Sequence, residues 1–105
     1  MAYRVTWSDT ADANLHSIIS YIKDDSPHHA EVVRRNLLAA TARLADFPYS
    51  GRMIPENRDP DAREIFVYSY RVMYYVSPGL VTIHKILHER QGTNDFAPRN
   101  RDATS

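Results

Sequence analysis

Tyr3, Val5 and Trp7 alternate with Ala2, Arg4 and Thr6, the two-residue period of a short strand with one buried face. Ser8 or Asp9 then caps a helix. Within it Ala11, Leu15, Ile18, Ile19 and Ile22 recur at steps of three and four and form one apolar stripe, which carries the helix to about Lys23. Asp24 to Pro27 make a turn in which Ser26 is a natural N-cap and Pro27 fills the first helical position, where its missing N–H costs nothing. A second helix follows, with Ala30, Val33, Leu37, Ala40, Leu44 and Phe47 as its apolar face. Two helices joined so tightly lie antiparallel.

Pro48, Gly51, Pro55 and Pro60 make residues 48–62 an irregular loop, because a helix cannot run through them and a central strand would lose ladder donors. Three runs rich in Val, Ile, Tyr and Phe follow: Arg63 to Tyr68, Tyr70 to Ser77 and Leu80 to His88, the last two joined by a turn at Pro78-Gly79. They read as a three-strand antiparallel meander. The predicted fold is α+β: a short strand, a two-helix hairpin and a small sheet covered by helices on one face only. Residues 1–92 form the expected domain. Residues 93–105, polar apart from Phe96, form an expected flexible tail.

Composition narrows the class. Thirteen Lys plus Arg against thirteen Asp plus Glu give zero formal charge, which disfavours a partner held by bulk positive charge. The absence of cysteine removes disulfides, thiol nucleophiles and Cys-containing zinc sites. No apolar run approaches the roughly 20 residues of a membrane span, and the first residues lack a signal peptide's basic and apolar regions, so a cytoplasmic protein with no membrane partner is expected. His84 and His88 stand about 13 Å apart at four residues of strand rise, too far to share an ion. No metal and no cofactor are expected.

Candidate chemistry concentrates in the loop and the meander. Strict alternation puts Arg71, Met73 and Tyr75 on an outward face opposite Tyr70, Val72, Tyr74 and Val76. It puts Thr82, His84 and His88 with Leu80 and Ile86, and Lys85 with Val81, Ile83 and Leu87. Glu56, Arg71 and His88 then supply a general base, a fixed cation for a developing phosphorane and a general acid, the groups that RNA cleavage through a 2′-hydroxyl requires. Arg52, Arg63, Tyr75 and His84 are candidate binding residues. Ion pairing of Arg52 and Arg63 with Glu56, Asp59, Asp61 or Glu64 is the alternative role for those arginines.

Five local words occur in a characteristic order: A-x-x-x-L-x-x-I-x-x-Y-I at Ala11 to Ile22, FPYSGR at Phe47 to Arg52, AREI at Ala62 to Ile65, YRVMYY at Tyr70 to Tyr75 and ILHER at Ile86 to Arg90. With the element order, they make the chain similar to the RelE/ParE superfamily of toxins from bacterial type II toxin–antitoxin modules, over about residues 2–92. The resemblance implies a growth-inhibiting toxin neutralised by a cognate antitoxin. One branch cleaves messenger RNA at the ribosome; the other poisons DNA gyrase without catalysis. The strand-borne R-E-hydrophobic word and the closing L-H pair resemble the gyrase branch. Glu56, Arg71 and His88 match positions of the ribosome-dependent nucleases, but Glu89 replaces the tyrosine those place after the His, and this chain has only Lys23 and Lys85 as lysines. The expectation leans to a ParE-like gyrase poison, with a RelE-like mRNA interferase as the alternative and an inactive antitoxin partner as a third reading.

Overall fold

The computed structural model describes residues 2–88. The expectations for Glu89, for the domain end at residue 92 and for the tail at 93–105 lie outside the described residues.

Strand β1 spans Arg4–Trp7, helix α1 Asp9–Asp25 and helix α2 Pro27–Ala42, extended by a 3₁₀ turn at Arg43–Ala45. The Ser8 and Ser26 hydroxyls accept from the N–H groups of Ala11 and His29, so each helix begins on a serine cap and α2 carries its proline at the start. Phe47 departs from the predicted stripe. It follows the 3₁₀ turn and is 60% exposed.

The sheet is larger than a meander. Strands β2 (Arg52–Met53), β3 (Ala62–Val67), β4 (Tyr70–Ser77) and β5 (Leu80–His88) join β1 in the order β1-β5-β4-β3-β2. All neighbours are antiparallel except β1, which runs parallel to β5 with Val5 opposite Val81 and Trp7 opposite Ile83. The connection from β1 to its parallel neighbour β5 runs through the α1–α2 hairpin and then β2, β3 and β4. Leu15, Val33, Leu37 and Leu44 from the helical layer pack with Val72, Tyr74, Val76, Val81, Ile83 and Ile86 in one core, which defines the covered face of the sheet. Arg71, Met73 and Tyr75 lie on the opposite, open face, as alternation in β4 requires.

One bulge changes what β5 presents. Met73 pairs with Lys85 but Tyr74 pairs with Ile83, so His84 is an extra residue. The backbone groups it displaces are met from α1 and its cap: the Ser8 hydroxyl donates to the His84 carbonyl at 2.7 Å, and Asn14 Oδ1 accepts from Ile86 N–H at 2.9 Å. Beyond the bulge the alternation is inverted. Ile86 enters the core, Lys85 turns to the open face, and His88 pairs with Tyr70 on the covered face, all three contrary to strict alternation.

Gly51 sits where the loop after α2 meets the sheet. A Cβ there would lie 2.6 Å from the Glu64 carbonyl oxygen and 2.6 Å from the Tyr74 hydroxyl, so only glycine permits the approach. Tyr74 fastens the same loop from within the core, accepting from Gly51 N–H at 3.0 Å and donating to the Pro48 carbonyl at 2.8 Å. Burial raises its hydroxyl pKa, so it remains a donor at neutral pH.

Candidate functional site

Register alone brings three charged side chains together on the open face, and the loop adds a fourth. Glu64 pairs with Arg52 on one side and Met73 on the other, and Arg71 lies one step along, opposite Phe66. The Glu64 side chain is 0% exposed. Its Oε1 accepts from Arg71 Nε at 3.0 Å and from an Arg71 terminal nitrogen at 2.6 Å, and its Oε2 accepts from Arg52 Nε at 2.6 Å. A buried carboxylate is tolerated only when its charge and lone pairs are met, and here two guanidinium groups meet them. Glu56 reaches the same Arg71 terminal nitrogen at 3.7 Å from the loop. The expected ion pair of Arg52 with Glu64 therefore forms.

Arg71 points to the open face as expected, yet it is buried rather than solvated, with a side chain only 9% exposed. His88 is not beside it. The His88 ring stands edge-on to Tyr70, 5.4 Å between centroids, and Tyr70 packs against the covered-face core. The Tyr70 hydroxyl is pushed up by burial first and then by the Tyr21 hydroxyl of α1, which places this ring pair on the helix side. Glu56 and Arg71 thus meet on one face while His88 belongs to the other. Arg63, expected as a binding residue, lies on the covered side of β3. It lies opposite the core residue Tyr74, donates to the carbonyls of Pro60 and Gly51 at 2.8 and 3.1 Å, and stacks over Tyr49. Its role is to tie the loop to β3.

Beside the charged cluster a cavity of about 380 Å³ opens between the loop and the strands, lined by Ile54, Glu56, Arg58, Met73, Tyr75, His84 and Lys85 among others. Tyr75 and His84 meet edge to face at 5.2 Å. Partial burial and, second, the neighbouring Lys85 hold the His84 pKa below its usual value. A histidine with a depressed folded pKa binds its proton more readily when unfolded, so stability falls as pH drops from about 6.5 toward the folded value. Thermal melts from pH 7.5 to 5 should show this loss, and His84→Asn should flatten it; an equal slope in both proteins would remove His84 as its cause.

The open face therefore carries Arg4, Arg52, Arg58, Arg71 and Lys85 against Glu56 and Glu64. The zero net charge of the chain conceals a basic surface. Among the described residues, no three His, Asp or Glu side chains group as metal ligands, and no helix is long and apolar enough to cross a membrane.

Residues 5–92 match the family described as the ParE toxin of the type II toxin–antitoxin system parDE. The chain belongs to the ParE toxin family. Toxin RelE2 of Caulobacter vibrioides is 36% identical over 86 residues, covering 81% of this chain and 93% of that protein. Among solved structures, the chromosomal ParDE system of P. aeruginosa superposes with a TM-score of 0.69 at 18% identity, over 83% of this chain and 96% of that one. The RelBE2 toxin–antitoxin complex of Mycobacterium tuberculosis does so with a TM-score of 0.59 at 21% identity, over 84% of this chain and 92% of that one. Both likenesses establish the fold shared by this ParE-family toxin. The element that sequence reasoning undervalued is Glu64. A lone carboxylate within AREIFV, one strand from the arginine of YRVMYY, was the signal for a buried pair.

Proposed function

We propose that this type II toxin arrests growth as a ParE-like, non-catalytic poison of DNA gyrase. The observation that supports the reading is the separation of Arg71 from His88 onto opposite faces of the sheet. A nuclease of the alternative class needs its proton donor and its phosphate cation within hydrogen-bonding reach of one phosphate. Here they lie on opposite faces of neighbouring strands, Arg71 across from Leu87 and His88 across from Tyr70. Arg71, moreover, is engaged with Glu64 at 2.6 Å, the arrangement of a structural ion pair.

Neutralisation falls to a cognate antitoxin, as in the toxin–antitoxin complexes that share the fold. Its amphipathic segment fits the groove of about 370 Å³ on the helical hairpin, lined by Leu15, His16, Ile19, Lys23, Arg34 and Leu38 among others. An apolar floor edged by Lys23 and by Arg34, whose guanidinium pairs with Glu31, suits a helix carrying an aliphatic face.

Induction of the toxin alone tests the reading in cells, with translation and gyrase-linked DNA breaks followed in parallel. Breaks that accumulate before translation falls support it; early loss of translation with cut mRNA overturns it. The discriminating variant is His88→Ala. Growth inhibition is expected to persist within about threefold, whereas removing a general acid costs a nuclease about 100-fold or more.

A further inference from the structure

Among the described residues, five of the seven exposed large apolar side chains, Phe47, Tyr49, Met53, Phe66 and Tyr68, come from the stretch around β2 and β3 at one edge of the sheet. The strand β2 is only two residues long and pairs with Arg63 and Glu64, so the rest of β3 has no strand beyond it among the described residues. A groove of about 370 Å³ follows this edge, with Arg43, Leu44, Phe47, Ile65 and Phe66 in its walls. Arg52 lies beside it.

Arg52 is unusual among surface arginines because its direction is fixed. Its side chain is 58% exposed, yet Nε donates to the buried Glu64 carboxylate at 2.6 Å and the guanidinium carbon lies 5.1 Å from the Phe66 ring centroid. Nε and the ring face hold the plane, leaving the terminal nitrogens of a largely exposed side chain as a preset fork for an oxyanion. Little rotamer entropy is left to lose on binding, which is the condition for a strong anchor. Phe47 and Phe66 on one groove, with Arg52 against the Phe66 ring, are the aromatic and arginine make-up of a protein-binding hot spot.

We propose that Arg52 is the anchor with which this edge grips a carboxylate on the toxin's protein target, and that Glu64 is its positioning residue. Phe66 and Phe47 form the apolar shoulders of the contact. The inference rests on the reading that the toxin is directed against a protein, with the antitoxin seated on the hairpin groove, away from this edge.

The test uses Arg52→Ala and Arg52→Lys in the full-length toxin, because changing Glu64 itself also perturbs the fold. Viable counts after matched induction, thermal melts and co-elution with the product of the adjacent antitoxin reading frame are measured for each. Both variants should raise survival at least about 10-fold with antitoxin co-elution unchanged; Arg52→Lys keeps a cation beside Glu64 and should melt within about 4 °C of wild type, whereas Arg52→Ala leaves Glu64 Oε2 without its donor and should melt lower. Lysine keeps the charge but not the pinned fork, so full toxicity of Arg52→Lys would overturn the positioning by Glu64. Full toxicity of Arg52→Ala would overturn the anchor. Loss of antitoxin co-elution would assign the edge to the antitoxin and overturn the proposal as well. Cleaved mRNA without gyrase-linked breaks in the wild type would overturn the protein-target reading and the proposal with it, whereas Arg52 variants that stay fully toxic while gyrase-linked breaks still form would overturn the proposal alone.

Discussion

Glu64→Ala should destabilise the toxin by about 3–5 kcal/mol, because it removes the carboxylate that two guanidinium groups share in a buried site. Arg71 suffers most: its side chain stays buried while its two short bonds to Glu64 disappear, and Glu56 at 3.7 Å is a poor substitute. For a domain of this size each kcal/mol corresponds to about 4–8 °C, so the melting temperature should fall by more than about 12 °C. Glu64→Gln, which keeps the shape and one acceptor, should fall between wild type and alanine. A melt within about 4 °C of wild type for Glu64→Ala would show that the cluster contributes little, the outcome known for surface ion pairs.

Tyr74→Ala should cost a similar amount, about 3–5 kcal/mol, through loss of a fully buried ring and the cavity it leaves. The hydroxyl can be separated from the ring. Tyr74→Phe keeps the packing but deprives Gly51 N–H of its acceptor and the Pro48 carbonyl of its donor, for about 1–3 kcal/mol. Because both bonds hold the loop that leads to β2, Tyr74→Phe should also speed proteolytic cleavage within residues 48–61. Chemical denaturation measures the first effect and timed proteolysis with mass spectrometry the second. Unchanged cleavage in Tyr74→Phe would show that Arg63, which also binds the Gly51 carbonyl, is sufficient to hold the loop.

The helical hairpin was legible because serine caps, Pro27 and a three-and-four apolar repeat all agree on it. The faces of β4 were legible for the same reason, since YRVMYYVS alternates by residue type and its pairing with β3 runs without a shift from Tyr70 to Tyr75. Strand β2 was not. Arg52-Met53 lies between Gly51 and Pro55, and two residues carry no period. Which strand β1 would join was equally hidden, because alternation reports a buried face and is silent on the neighbour.

The candidate site turned on one residue. Reading LVTIHKILH with a constant period assigns His88 to the open face, whereas the extra residue at His84 inverts everything after it. The signal was present in the two apolar positions Ile83 and Ile86, spaced by three where a regular strand would space them by two. The stabilising contacts come from Ser8 and Asn14, more than 70 residues away, which no local pattern displays. Glu64 was read as one of four acidic partners for surface arginines. Its burial follows from sheet register, which places it between Arg52 and Arg71, and not from its neighbours in sequence.

The most direct measurement of target is made with purified components. Gyrase, supercoiled plasmid and the toxin freed of antitoxin are incubated, then treated with detergent and protease to reveal covalent gyrase–DNA breaks, while a parallel reaction supplies ribosomes programmed with mRNA. Linear plasmid that appears with the toxin, disappears when antitoxin is added and persists with His88→Ala, beside intact mRNA on the ribosomes, is the expected result. Uncut plasmid beside mRNA cleaved in the ribosomal reaction, with that cleavage lost in His88→Ala, would contradict it.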